Sequence, residues 1–236
     1  MSWVLVGLAL AAGLVVLNVG LFHPRVQLFG PCVWHGPRTK PRVALTFDDG
    51  PHPDTTRRVL EVLEAHGVKA TFFVVGAEVE RHPALARELV TRGHELGNHT
   101  FSHGVTTDLF LAGRLAADVA RCQQTIEAVT GQQARWYRPA VGIRNPPVHA
   151  AARKVGLPVV TWSDAPRDGA RAFTLERAKA MAARAQAGDI LALHDGTRPG
   201  QEALREHPVR NLGALIEGLE ARGLEVVTLG ALLDGA

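Results

Sequence analysis

Cysteine is scarce in this chain of 236 residues, which holds only Cys32 and Cys122. Two cysteines cannot staple a disulfide mini-protein, and a chain of this length can bury a core without staples, as one large domain or two small ones. Charge is modest too. Charged residues make up 21% against 46% hydrophobic, which excludes a disordered polyelectrolyte. The 24 glycines and 14 prolines follow no repeating pattern, so collagen-like and linker-like chains are excluded. Acidic residues are missing altogether before Asp48, where Arg25, Arg38, Lys40 and Arg42 lie. Those four positive charges exceed the net charge of +3, so the rest of the chain stands at −1. A nucleic-acid binder spreads Lys and Arg over its folded face, and a near-neutral body excludes nucleic acid as a partner.

Charge of either sign is absent from Trp3 to Phe22. At 1.5 Å per residue a helix over this run spans a hydrocarbon core of about 30 Å. A signal peptide opens on Lys or Arg and carries about 7–15 apolar residues. This run has neither feature, and Ala9-Leu10-Ala11 lies too early for a cleavage site. The reading is an uncleaved transmembrane anchor over residues 1–22 with residues 3–22 in lipid, then a Pro-, Gly- and basic-rich juxtamembrane tether over 23–41. Leu28-Phe29-Gly30-Pro31-Cys32 does not match a lipoprotein processing site, so Cys32 is an ordinary residue near the membrane.

From Arg42 onward short apolar runs alternate with helical stretches. Strands are expected at 43–47, 70–75, 95–98, 135–137, 157–162, 190–193 and 224–229. Between them Leu115, Val119, Cys122, Ile126 and Val129 step by four, three, four and three, the spacing of one buried helix face. Cys122 on that face is a packed thiol rather than a reactive one. Strands apolar at consecutive positions and joined by helices form a parallel sheet covered on its faces, and seven such units point to a β/α barrel.

Five of these strands end in ionisable groups. The first runs into Asp48-Asp49-Gly50-Pro51, the third into His99-Thr100-Phe101-Ser102-His103, and the fourth into Arg138-Pro139-Ala140-Val141-Gly142. The fifth precedes Ser163, Asp164 and Asp168, and the sixth ends at His194-Asp195-Gly196. The C-terminal ends of the strands are where β/α barrels assemble active sites. Taken singly, each piece has a plainer role: Asp-Asp-Gly-Pro as a turn, Asp54 with Thr55 and Thr56 as a helix cap, His194 as a core histidine, Arg138 as an ion-pair partner. Their placement at one end of one barrel is what those plainer roles leave unexplained. Asp49, His99 and His103 offer one carboxylate and two imidazoles, a set suited to Zn²⁺, Co²⁺ or Ni²⁺ with coordination positions left open. Asp48, beside that set but outside it, is free to take a proton from water.

These residues resemble the polysaccharide deacetylases of the NodB homology type, carbohydrate esterase family 4, from about Arg42 to Leu232. The resemblance rests on Thr46-Phe47-Asp48-Asp49-Gly50, on His99 to His103, on the Arg138-Pro139 to Gly142 loop, on Trp162-Ser163 with Asp168, and on the strand ending in His194. It implies a distorted (β/α)₇ barrel of NodB type over residues 42–232, preceded here by one N-terminal transmembrane helix. The implied activity removes an N-acyl group, usually acetyl, from an amino sugar of a polysaccharide or oligosaccharide, with zinc the favoured metal. By the family's pattern Asp48 is the base, Asp49, His99 and His103 hold the metal, and His194 is the acid. Arg138 orients Asp48, Asp168 holds His194 with Asp164 as its rival, and the backbone N–H of Val141 joins the metal in facing the oxyanion.

Amide hydrolysis needs a nucleophile made from water, a stabilised oxyanion and a protonated leaving amine, and those roles supply all three. Two positions depart from the family. The loop usually reads Arg-Pro-Pro, an aromatic, Gly, whereas Ala140 and Val141 stand here, and the usual Leu two residues before the acid His is Ala192. Both changes bear on the substrate and leave the metal and proton-transfer groups intact. Two alternatives remain: a deacylase or deformylase of a lipid-linked amino sugar at the membrane, and an inactive glycan-binding barrel. The basic residues after the anchor favour a cytoplasmic barrel by the positive-inside rule, while most relatives act outside the cell; a single-pass protein of the cell membrane with an extracytoplasmic barrel is preferred.

Overall fold

The computed structural model describes residues 3–104, 112–196 and 202–234. In chain order its elements are α1 (Trp3–Phe22), β1 (Arg42–Asp48), α2 (Thr55–Ala65), β2 (Thr71–Val74), α3 (Gly76–Arg81), α4 (Pro83–Thr91), β3 (Glu95–Asn98), α5 (Ala112–Thr130), α6 (Pro146–Val155), α7 (Leu175–Arg184), β4 (Ile190–His194), α8 (Glu202–Glu220), β5 (Glu225–Val227) and α9 (Leu229–Asp234). The strands form one parallel sheet in the order β3-β2-β1-β4, with β5 pairing the start of β1. Two of the seven expected strands, 135–137 and 157–162, survive only as isolated bridges: Tyr137 to Asn98 and Val159, Val160 to Val33, and Asp164 to Leu191. Pro139 and Pro158 lack the N–H a ladder needs, which shortens pairing on this side and distorts the barrel.

Side-chain alternation along the strands positions the site. Val43, Leu45 and Phe47 of β1 point outward to the helices and join Phe72, Val74, Leu191 and Leu193 in the largest core cluster. Phe47 stacks on Phe72 with ring centroids 5.1 Å apart. The alternate residues point into the barrel, where Ala44, Phe73 and Ile190 cluster. Continuing that period sends Asp48 inward at the end of β1 and His194 inward at the end of β4, and the register pairs them directly.

Helix α5 buries Leu115, Val119, Cys122 and Ile126 as their spacing requires, and Cys122 is fully buried with its thiol against the Val74 carbonyl. Burial raises the Cys122 pKa, in keeping with an unreactive thiol. At α2 the outcome differs from the expected cap. Asp54 makes no side-chain cap bond, while the Thr55 and Thr56 hydroxyls donate to the backbone and side chain of Asp195. The two threonines thus tie α2 to the end of β4 rather than closing their own helix.

Helix α1 covers the uncharged run and is long and apolar enough to cross a membrane. The stretch expected to be a tether is bonded along the barrel. Val33 N–H donates to Val159 O at 2.9 Å and Thr161 N–H to Val33 O at 2.9 Å. Thr161 Oγ1 donates to Pro24 O at 2.7 Å, Ser163 Oγ to Trp34 O at 2.7 Å, and the Arg25 guanidinium to Ser163 O at 2.8 Å. Cys32 is buried among residues of α5 and α6.

Candidate active site

At the C-terminal end of the sheet a cleft of about 560 Å³ is lined by Asp48, Asp49, His99, His103, Val141 and His194, among others. Asp49 follows the last residue of β1 with φ of 76°, a left-handed conformation. That turn aims consecutive carboxylates at different targets. His99 follows β3, and His103 sits one loop further on. Asp118 of α5 accepts from the N–H of Phe101 at 2.9 Å and of Ser102 at 3.2 Å, while His103 N–H donates to Thr100 Oγ1 at 3.0 Å. Those bonds pin a loop in which Thr100 and His103 also have positive φ, at 69° and 49°.

One ligand atom from each of Asp49, His99 and His103 lies within 4.8 Å of the other two. His103 Nε2 is 3.0 Å and His99 Nε2 is 3.5 Å from Asp49 Oδ1. His99 Nδ1 faces the Arg138 carbonyl at 2.7 Å, so that nitrogen carries the proton and Nε2 is left to ligate. Burial opposes the charge on Asp49, yet bonds from His103 and His99 hold its carboxyl well below the usual carboxylate range. Burial likewise opposes charge on His99, and Asp49 outweighs it, so the imidazole is raised. A strongly acidic carboxylate beside two imidazoles, that of His99 fixed in tautomer, fits a divalent cation.

Asp48 is kept apart from that set by Arg138. The guanidinium donates to Asp48 Oδ1 at 2.6 Å, to Thr46 Oγ1 at 2.9 Å and to Thr161 O at 3.0 Å, and it lies 3.9 Å from the Phe73 ring centroid. Arg138 is fully buried and burial lowers its pKa, so the pair is a dry one in which loss of either partner costs about 3–5 kcal/mol. Thr46 was quoted in the sequence motif but given no part; it looks like an ordinary strand residue until the side chain reaching it from 92 positions away is seen.

His194 stands across the cleft. Its Nδ1 lies 2.8 Å from Asp168 Oδ1, and its backbone N–H donates to Asp168 Oδ2 at 2.9 Å. Burial would lower the His194 pKa, but Asp168 outweighs it and pushes it up to about 9. Asp164 instead accepts from Arg184 Nε at 2.6 Å, so the geometry separates the two candidate partners. Asp195, fully buried behind the cleft, was quoted in the sequence but given no part; burial pushes it up to about 7 despite the Thr56 hydroxyl.

Val141 lines the cleft with φ of 50°, unusual for a β-branched residue, and it is 49% exposed. Gly142 beside it has φ of 67°, and a Cβ there would sit 2.2 Å from the Trp162 ring. Ala140 and Ala192 are buried, and Ala192 joins the cleft wall. Phe22, His23, Pro24 and Arg25 also line the cleft, which nothing in the local sequence pattern announces.

A parallel-sheet barrel with a carboxylate-bis-imidazole cluster flanked by Asp48 and His194 is the arrangement of a hydrolytic site. The sequence model of the polysaccharide deacetylase family matches residues 35–160, and the chain belongs to that family. The chain is 38% identical to the chitooligosaccharide deacetylase of Bradyrhizobium sp. (strain ANU 289), over 80% of this chain and 90% of that one. It is 32% identical to a peptidoglycan-N-acetylglucosamine deacetylase of Bacillus cereus, over 90% of this chain and 98% of that one. Among solved structures, a mutant of a carbohydrate esterase family 4 pseudoenzyme with restored enzymatic activity superposes with a TM-score of 0.76 at 26% identity, over 86% of this chain and 71% of that one.

Proposed function

We propose that this protein hydrolyses the N-acetyl group of an amino-sugar residue in a glycan, with a divalent metal held by Asp49, His99 and His103. The observation that carries the reading is the division between the two adjacent carboxylates. Asp49 faces two imidazoles while Asp48 faces a buried arginine. A divalent metal held by these three residues, zinc by the donor set with cobalt or nickel as substitutes, would supply Lewis-acid stabilisation to a developing oxyanion and would acidify a water.

Asp48 takes a proton from the attacking water at Oδ2, since Oδ1 is engaged by Arg138. Arg138 pairs with Asp48 and fixes its rotamer. A C–O bond forms at the acyl carbon, the C–N bond breaks, and His194 delivers a proton from Nε2 to the departing nitrogen. Acetate and a free amino sugar result. Asp168 holds Nδ1 and keeps the imidazole charged. The Val141 N–H, at the cleft wall in an unusual conformation, is assigned to the oxyanion. Ala140 and Ala192 give the acyl and sugar subsites a shape different from the family's usual one.

A structural relative described as a pseudoenzyme makes an inactive barrel a real alternative, and the complete Asp48, Asp49, His99, His103 and His194 set favours activity. The test is a pair of variants. Asp49→Ala is expected to lose both metal and acetate release, and Asp48→Asn to keep stoichiometric zinc while losing about 100-fold or more in kcat. Equal metal loss in both would refute the division of labour.

A further inference from the structure

We propose that α1 is a retained membrane anchor whose end forms a wall of the catalytic cleft, and that the amino sugar is presented on a membrane lipid through a phosphate linkage. This rests on the deacetylase reading above and adds the carrier of the sugar. The first observation is connectivity. Phe22 is the last residue of α1 and lines the same cleft as Asp48 and His194, as do His23, Pro24 and Arg25. Arg144, 1% exposed, donates its backbone N–H to Leu21 O at 3.0 Å and its guanidinium to Val26 O at 2.8 Å. Removing the helix together with these residues would open the cleft and strip two partners from a buried arginine, which is not how a disposable leader is built.

The second observation is reach. Nineteen residues of loose tether would extend about 60 Å from the bilayer, far enough to search a surrounding glycan mesh. Here residues 24, 33 and 34 are bonded to the barrel wall instead. The cleft is therefore held where α1 leaves the membrane, and its substrate has to come to the lipid surface.

The third observation is the chemistry of the rim. Outside α1, the large hydrophobic residues that are exposed among the described residues are Leu28, Val141 and Leu175. Val141 is on the cleft wall, and Leu28 packs on Gly20 in the last turn of α1. Phe22, 46% exposed, lies with them at this end. Exposed Arg25 and Arg167 also line the cleft. An apolar edge beside two cations suits a lipid chain followed by a phosphate, with the sugar reaching down to the acid-base groups.

The experiment uses the full chain, zinc-loaded, in phospholipid vesicles. Acetate release is compared for polyprenyl-phosphate-linked N-acetylglucosamine in the same vesicles, N-acetylglucosamine 1-phosphate, and chitotetraose. The expected result is a kcat/KM at least 10-fold higher for the lipid-linked sugar than for either soluble one. Arg25→Ala is expected to raise KM for the lipid-linked sugar several-fold more than for chitotetraose. Intact mass of the membrane-extracted protein should include residues 1–22. Chitotetraose turned over as well as the lipid-linked sugar, or a mass showing cleavage before the barrel, overturns the inference and leaves the deacetylase reading standing. Equal rates for the 1-phosphate and the lipid-linked sugar overturn the lipid and keep the phosphate. No acetate from any of the three overturns the deacetylase reading and this inference with it.

Discussion

Asp168→Asn offers a quantitative handle on the acid side of the reaction. In the wild-type protein Asp168 is fully buried and meets both Nδ1 and the backbone N–H of His194. An asparagine keeps the volume and can still accept from that N–H, so the cleft should hold its shape while the negative charge is lost. His194 then falls from about 9 toward its ordinary 6.5, since its principal anionic partner is gone and only the Asp48 and Asp49 carboxylates still oppose burial. A fall all the way to 6.5 would take the protonated fraction at pH 8 from about 0.9 to about 0.03, which sets an upper bound of roughly 30-fold on the loss in kcat/KM, against about 1.3-fold at pH 6. The assay is a pH profile of acetate release from pH 5.5 to 10, with zinc occupancy checked at each end. The alkaline limb should move to lower pH, by at most about 2.5 units. A loss of equal size at pH 6 and pH 8, or an unmoved limb, refutes the role given to the pair. The same raised pKa has a stability consequence. A histidine charged more readily in the folded state stabilises it fully below about pH 6.5, and that contribution, about 3 kcal/mol for the shift to about 9, is lost as pH rises through 9. Wild-type Tm of the metal-free protein should therefore fall more between pH 7 and pH 10 than that of Asp168→Asn.

Two further changes probe the backbone of the site. A Cβ on Gly196 would lie 2.2 Å from the Asp49 carbonyl carbon and oxygen, so Gly196→Ala must shift Asp49; zinc affinity by calorimetry should weaken about 10-fold or more, and an unchanged affinity would show that Asp49 tolerates displacement. Val141→Gly relieves a β-branched residue at φ of 50°, worth about 1–3 kcal/mol, against about 0.5–1 kcal/mol of added chain entropy. Its Tm should rise by about 2–4 °C, and a fall would mean that the Val141 conformation is not strained.

Much of this arrangement is visible in the chain before any contact is known. The apolar run at 43–47 lies within β1, Glu95–Asn98 is β3 residue for residue, and the three-four stepping of Leu115 to Ile126 is the buried face of α5. Periodicity carries these because each is decided by its own neighbours and by which side faces the core. The site residues stood out because short strands deliver them all at one end. What stayed hidden depends on partners distant in sequence. The choice between Asp168 and Asp164 turns on Arg184, which claims Asp164. Thr55 and Thr56 carry the composition of a helix cap but bond Asp195, some 140 positions away. The Pro- and Gly-rich stretch after α1 has the composition of a linker, and its bonds to Thr161 and Ser163 are written in no local pattern. Arg135 to Tyr137 and Leu157 to Trp162 have strand-like apolar content, while flanking prolines withhold the donors that a continuous ladder requires.

Asp48 and His194 sit on adjacent paired strands in direct register, whereas the outer walls of the cleft include the Val141 loop and the segment after α1. The two sets of parts can therefore change independently. A mutation that reshapes the mouth leaves the spacing of Asp48 and His194 untouched, because that spacing is written into sheet hydrogen bonds. Such a barrel can acquire a new glycan by trading loops while its chemistry is inherited whole. A one-residue deletion within β1, by contrast, would displace Asp48, Asp49 and the register together, and no adjustment of the mouth could compensate.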